Sequence, residues 1–275
     1  MAKARLDILL VERGLAESRA KAQALVMAGQ VRVDGQVVDR PASNFTTDAN
    51  ISVVGGPRFV SRGGDKLEAA LTGFPVDATG RVCADVGSST GGFTDCLLQH
   101  GAAKVYAIDV GKGLLHWKLR TDPRVVVMEE TNARFVEKLP EAVSLVTIDA
   151  SFISLKILLP VVKNWFVPTP LAPSGHSPHL RSKWGEPEGG VLALIKPQFE
   201  AGRKETAKNK GVIRDAAVHR SVLTGVLTFA QEQGFAVRGL RHSPVIGPKG
   251  NVEFLAWLGM GEAELDAGSL IEKIV

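Results

Sequence analysis

Four side chains able to handle a nucleoside or a proton stand at the ends of apolar runs: Asp85, Asp109, Asp149 and Lys196. Asp85 closes the run Val82-Cys83-Ala84-Asp85-Val86. Gly87-Ser88-Ser89-Thr90-Gly91-Gly92 follows, and then a helical pattern of Phe93, Leu97 and Leu98. Strand, tight turn and helix N-terminus make the first unit of a nucleotide-type site. No Gly-Lys-Ser/Thr follows the glycines, so the turn is not a phosphate loop, and Ser89 replaces the second glycine of Gly-x-Gly-x-x-Gly. An acid, serines and small residues suit a ligand with an adenosine end and an amino-acid end, for which S-adenosylmethionine is the natural candidate. The expected contacts are Asp85, Gly87, Ser88, Ser89, Gly91, Gly92 and Phe93. An ordinary strand-to-helix turn that binds nothing is the alternative.

Asp109 lies 24 positions after Asp85, where an acid holds ribose hydroxyls, and Val110 follows it. Asn132, just past the next apolar run, is placed to meet an adenine. Asp149 is expected beside the same ligand, but it and Lys196 are not accounted for by that ligand alone. A lysine directly after Leu192-Ala193-Leu194-Ile195 would be partly desolvated, which disfavours its charged form. Such a lysine can accept a proton from a hydroxyl about to be methylated.

The elements that must position these groups alternate as a parallel sheet requires. Apolar runs at 82–86, 105–109, 125–128, 145–149 and 191–196 read as strands, with helices at 67–71, 155–166 and 217–231 between or beside them. Runs at 237–240 and 252–257, joined through Gly247-Pro248-Lys249-Gly250, close the sheet with one antiparallel strand. The expected architecture is α/β, a Rossmann-like methyltransferase sheet with a small N-terminal α+β domain. In that domain two short helices fall within 3–28, Ser18 caps the second, and Asp34-Gly35 between alternating apolar residues marks a hairpin. Gly55-Gly56-Pro57 breaks the pattern. The expected division is 1–56, a linker at 57–64, the second domain at 65–261 with an aperiodic insertion at 168–189, and a tail at 262–275 that could form a surface helix.

At 275 residues the chain can hold one ordinary domain and a small one. No apolar run approaches the ~20 residues that cross a bilayer, and the N-terminus does not read as a signal peptide. A cytoplasmic monomer without metal is the simplest expectation: Cys83 and Cys96 make no disulfide or metal framework, and the six histidines show no ligand spacing. The net charge of +4 permits a nucleic-acid partner without demanding one. Arg203, Lys204, Lys208 and Lys210 cluster after Lys196 and suit RNA phosphates, or a solvated loop.

The first 55 residues resemble the S4 RNA-binding domain through Arg5-Leu6-Asp7, Ser18-Arg19, Ala24-Leu25, Gly29-Gln30-Val31-Arg32-Val33-Asp34-Gly35 and Arg40-Pro41. The resemblance implies that Lys3, Arg5, Arg13, Arg19, Lys21 and Arg32 grip RNA, with Arg62 added near the second domain. The bland alternative is a solvated face, with Arg5 and Arg13 serving as partners of Asp7 and Glu12. The second domain resembles FtsJ-like ribose 2′-hydroxyl methyltransferases through Lys66 in Ser61-Arg62-Gly63-Gly64-Asp65-Lys66, Asp149 in Asp149-Ala150-Ser151-Phe152, Lys196 in Ile195-Lys196-Pro197-Gln198-Phe199-Glu200, and Glu253 in Asn251-Val252-Glu253-Phe254.

Together the two halves resemble the TlyA family of ribosomal RNA 2′-O-methyltransferases, also labelled haemolysins. The resemblance implies S-adenosylmethionine as donor, and cytidine in ribosomal RNA or ribosomal subunits as substrate. It implies Lys196 as proton acceptor held by Asp149 and Glu253, with Lys66 adding positive charge. Where the family often has Arg-x-Trp-Val between its domains, this chain has Arg58-Phe59-Val60. Rival readings are a non-catalytic S4-type RNA-binding factor, a membrane-active haemolysin, which no long amphipathic stretch supports, and a nicotinamide dehydrogenase, disfavoured by Ser89.

Overall fold

The computed structural model describes residues 3–55, 58–166, 190–202, 205–206, 211–260 and 265–275. The expected insertion at 168–189 and the basic residues Arg203, Lys204, Lys208 and Lys210 lie outside the described residues. The chain divides into two compact units, Met1–Arg58 and Phe59–Val275.

In the first unit, β1 (Lys3–Arg5) leads into α1 (Leu6–Glu12), α2 (Arg19–Met27), β2 (Val31–Val33), β3 (Gln36–Val37), β4 (Asn44–Thr46) and β5 (Ile51–Val53). The Ser18 hydroxyl accepts the Lys21 amide at 3.2 Å and starts α2. Asp34 (φ 50°) and Gly35 (φ 82°) are both left-handed, the turn that matches strand twist and joins β2 to β3. β2 is the centre of the sheet β3-β2-β5, and β1 pairs with β4, a pairing absent from the expectation of two helices and one sheet. Leu6, Leu9, Leu10, Ala22, Val26 and Val31 fill the core.

Asp7 has no exposed surface, and its carboxylate accepts Arg5 (3.0 and 2.9 Å), Arg19 (3.0 Å) and Gln23 (2.8 Å). Arg13 donates to the Ala49 and Thr47 carbonyls, both at 2.7 Å, and not to Glu12. Three of the cations expected to grip RNA are therefore committed to holding this unit together, because a buried carboxylate must be paired. Lys3, Lys21 and Arg32 are exposed, and so are Arg13 and Arg19.

The Arg5 hydrogen bond, ahead of those from Gln23 and Arg19, holds the Asp7 carboxyl well below the usual carboxylate range. A depressed folded-state value contributes stability above the unfolded value near 4, lost as pH falls below it. Asp7→Asn is expected to destabilise this unit by about 2–3 kcal/mol at pH 7 and less on acidification, read by denaturant unfolding across pH.

The second unit runs α3 (Gly63–Gly73), β6 (Val82–Val86), α4 (Gly92–Gln99), β7 (Lys104–Ile108), α5 (Trp117–Arg120), β8 (Val125–Met128), β9 (Leu145–Ile148), α6 (Leu155–Lys163), β10 (Gly190–Ile195), α7 (Pro197–Glu200), α8 (Ala216–Glu232), β11 (Phe235–His242), β12 (Phe254–Met260) and α9 (Ala267–Glu272). Seven strands form one sheet in the order β11-β12-β10-β9-β6-β7-β8. Only β12 runs against its neighbours, antiparallel to both β10 and β11.

Alternate residues of each strand enter opposite cores. Ala84, Val86, Val146, Ile148, Ala193 and Ile195 pack on the side of α6, α8 and α9. Cys83, Val105, Leu145, Leu192 and Leu194 pack against Leu67 and Leu71 of α3 and Leu97 of α4. Both faces are covered, as a parallel sheet requires.

One boundary differs from expectation. Phe59 is 2% exposed and sits in the second core, and the Val60 amide donates to Asp95 at 2.9 Å. This part of the expected linker is thus built into the sheet domain. The expected surface helix of the tail is α9, and its one buried residue, Ile271, seats it on the first core, where His242 meets the Ile274 carbonyl at 3.0 Å.

Candidate active site

From β6 the sheet grows one way through β7 and β8 and the other way through β9 and β10. The crevice at the carboxyl ends of β6 and β9 is therefore the topological switch point, where ligands bind in open α/β sheets. A cleft of about 330 Å³ opens there, lined by the turn after β6 (Gly87, Ser88, Ser89, Gly92, Phe93), the entry to α3 (Ser61, Arg62, Gly63, Lys66), Asp149, Val245 and Ile246.

Gly87 has φ 83°, and a Cβ there would stand 2.8 Å from the Asp149 carbonyl oxygen. A Cβ at Gly92 would stand 2.3 Å from Ser61 Oγ and 2.8 Å from the Gly64 amide. These two glycines let β6, β9, α3 and α4 close around one space. Gly91, at φ 97°, faces away and makes room for Leu115 and Leu119.

The expected nucleoside contacts separate by burial. Asp85 is fully buried; Thr94 donates to it at 2.7 Å and Thr147 at 3.1 Å. It braces the root of the turn and does not line the cleft, a correction to its expected role as a contact. Asp109 accepts the Ser89 amide through one carboxylate oxygen and the Gly111 amide through the other, both at 2.8 Å. It holds the turn, and each oxygen keeps a further acceptor site. Val110 is exposed, and Asn132 caps the short 3-10 turn Ala133–Phe135 by accepting the Arg134 amide at 3.2 Å.

Lys66, Asp149, Lys196 and Glu253 meet as two ion pairs. Lys66 Nζ lies 2.6 Å from Glu253 Oε2, and Lys196 Nζ lies 2.7 Å from Asp149 Oδ1. Lys66, Lys196 and Glu253 are 8%, 7% and 1% exposed, so the pairing is what makes two lysines tolerable there. Glu253 serves Lys66 and not Lys196, which alters the expected arrangement. Lys196 instead donates to the Asp149 carbonyl at 3.2 Å and to Ser151 Oγ at 3.0 Å.

The 2.7 Å ion pair to Asp149 Oδ1 is the shortest of these three Lys196 contacts. Gln198 donates to Glu253 Oε1 at 3.4 Å, and its carbonyl oxygen is buried without a partner among the described residues. Ser151, Gln198, Ser61, Val245 and Ile246 were not singled out as site residues from the sequence. Ser151 and Gln198 lie inside motifs that were read, but strand-end logic highlights only the residue at the end itself. Arg62 is exposed at the rim of the cleft.

The family model for FtsJ-like methyltransferases matches residues 59–260, and that for the S4 domain matches residues 4–51. The chain belongs to the FtsJ-like methyltransferase family. Within that family it is 46% identical to "Putative rRNA methyltransferase YqxC" of Bacillus subtilis, over 94% of this chain and 88% of that one. It is 42% identical to the 16S/23S rRNA (cytidine-2'-O)-methyltransferase TlyA of Mycobacterium tuberculosis, over 93% and 90%. The solved structure "Putative hemolysin from Streptococcus thermophilus" superposes with a TM-score of 0.68 at 38% identity, covering 99% of this chain and 96% of that one. This FtsJ-like chain thus carries an S4 domain before its methyltransferase sheet, and no helix among its described residues is long and apolar enough to cross a membrane.

Two outcomes follow from the turn. Burial, opposed by the Thr94 and Thr147 hydrogen bonds, pushes the Asp85 carboxyl up to about 7. A raised folded-state value means the folded chain holds a proton that the unfolded chain has released, so stability falls as pH rises from about 4 to 7. The loss is on the order of 4 kcal/mol, and Asp85→Asn is expected to flatten that slope in unfolding measured from pH 5 to 8. Gly87→Ala, strained at φ 83° and crowded by the Asp149 carbonyl, is expected to weaken methyl-donor binding at least tenfold by calorimetry.

Proposed function

We propose that the protein transfers a methyl group from S-adenosylmethionine to a ribose 2′-hydroxyl, of cytidine, in ribosomal RNA or ribosomal subunits. The observation that carries this reading is the pair of nearly buried lysines, each held by a carboxylate, at the switch-point cleft. The glycines let β6, β9, α3 and α4 close around the cleft, and its serines, with Asp109 holding the turn, suit the polar ends of the donor. In this reading Gly87, Ser88, Ser89, Gly92, Phe93 and Asp149 hold the donor, and Asp109, Val110 and Asn132 meet its nucleoside. The donor supplies a methyl group on a positively charged sulfur that leaves neutral.

Lys196 Nζ, once its ammonium proton has passed to solvent, takes the proton of the attacking hydroxyl as the oxygen bonds the methyl carbon and the carbon–sulfur electron pair stays with sulfur. Asp149, paired at 2.7 Å, and Ser151, at 3.0 Å, keep that nitrogen in place. Glu253 fixes Lys66, whose charge steadies the oxygen as its proton departs. Holding the oxygen in line with the methyl carbon supplies a large part of the rate. Exposed Lys3, Lys21 and Arg32, with Arg62 at the rim, supply cations for RNA phosphates. The hemolysin name of a relative stays with that relative.

Purified protein is expected to transfer a labelled methyl from S-adenosylmethionine to ribosomal RNA or subunits. Lys196→Ala should lower kcat about 10²–10⁴-fold with donor affinity within a few-fold of the parent. Full activity in that variant would sink the mechanism.

A further inference from the structure

On the flank of the sheet domain, α3 and α4 bring together three side chains that the methyl-transfer reading does not use. Glu68 comes from α3; Cys96 comes from α4 and His100 from the end of α4, four positions apart on one helix face. Their ligand atoms all lie within 4.8 Å of one another. Cys96 Sγ is 3.8 Å from Glu68 Oε2, and His100 Nε2 is 2.6 Å from the same oxygen. Cys96 is fully buried, while the His100 and Glu68 side chains are 29% and 20% exposed, so one side of the cluster reaches solvent.

We propose that Glu68, Cys96 and His100 form a zinc site with three protein ligands, its fourth position open to water. A thiolate, an imidazole and a carboxylate together favour zinc over magnesium or calcium, which take oxygen ligands. With zinc–ligand bonds of ordinary length, tetrahedral geometry needs sulfur and oxygen roughly 3.6 Å apart and nitrogen and oxygen roughly 3.3 Å apart. The first is met within about 0.2 Å, and the second requires the imidazole to retreat by about 0.7 Å. His100 can do so because it is the residue at the end of α4, followed by Gly101 at φ 81°.

The occupied site ties two helices that serve the cleft. Lys66 stands two residues before Glu68 on α3, and Phe93 of the cleft stands three residues before Cys96 on α4. Zinc would staple the helix carrying one lysine to the helix that follows the glycine turn.

The test uses the full chain, freed of metal by a chelator and then given zinc or cobalt alone. One equivalent of zinc should bind in competition with a chromophoric chelator, and Tm should rise with zinc concentration. Cobalt should give a thiolate charge-transfer band and the intense visible absorption of a four-coordinate centre. Cys96→Ser should abolish the charge-transfer band, and both Cys96→Ser and His100→Gln should weaken zinc binding at least tenfold. Should Cys96→Ser fail to fold, His100→Gln, at the partly exposed end of α4, decides the matter. Absence of binding, a charge-transfer band surviving in Cys96→Ser, or unchanged zinc affinity in His100→Gln would overturn the proposal.

Discussion

Burying an ammonium group is tolerable only when its charge is matched, and the sheet domain buries two at one cleft. Lys66 arrives on a helix before the first sheet strand and Lys196 at the end of β10. Their carboxylate partners come from the residue just before β12 and from the residue just after β9. Lys66 and Glu253 are separated by 187 residues. The pairs can form only when α3, β9, β10 and the approach to β12 are all in place, so the two ion pairs also report the closure of the domain. The antiparallel β12 is part of this requirement, since its reversed course brings Glu253 to the same edge as the carboxyl ends of the parallel strands.

The close approach that makes the cleft rests on smaller features. Gly87 sits against the Asp149 carbonyl, Gly63 and Gly92 let α3 and α4 touch nearly backbone to backbone, and Gly64 makes room for Phe59. Beneath them Asp85 is sealed by two threonine hydroxyls, and above them Asp109 pins the Ser89 and Gly111 amides. The two acids read from strand ends as ligand contacts thus have a prior task, which is to hold the turn in the shape that leaves room for a ligand.

The small N-terminal unit answers the same constraint with different residues. Its one fully buried carboxylate gathers Arg5, Arg19 and Gln23, and Arg13 closes two carbonyls of the β4–β5 connection. In the basic face read from sequence, Arg5, Arg13 and Arg19 thus also fasten the unit, while Lys3, Lys21 and Arg32 are exposed. Charge counting cannot make that division, because it depends on which carboxylate is buried.

Local order was legible along the chain. Strand-end acids, the glycine turn, the Asp34-Gly35 hairpin and the Ser18 cap all depend on neighbours within a few residues, and all stand where periodicity and turn chemistry put them. The four motif residues of the cleft were legible through the family resemblance, and the alternation of strand and helix implied their common edge. Tertiary structure alone decided the pairing: that Glu253 holds Lys66, that Ser151 joins Asp149 at Lys196, and that Phe59 and Ile271 belong to cores. It also decided that Glu68 meets Cys96 and His100, which in sequence looked like an isolated acid, thiol and imidazole. Contacts between segments far apart in sequence are set by sheet order and helix packing, and no local pattern records them.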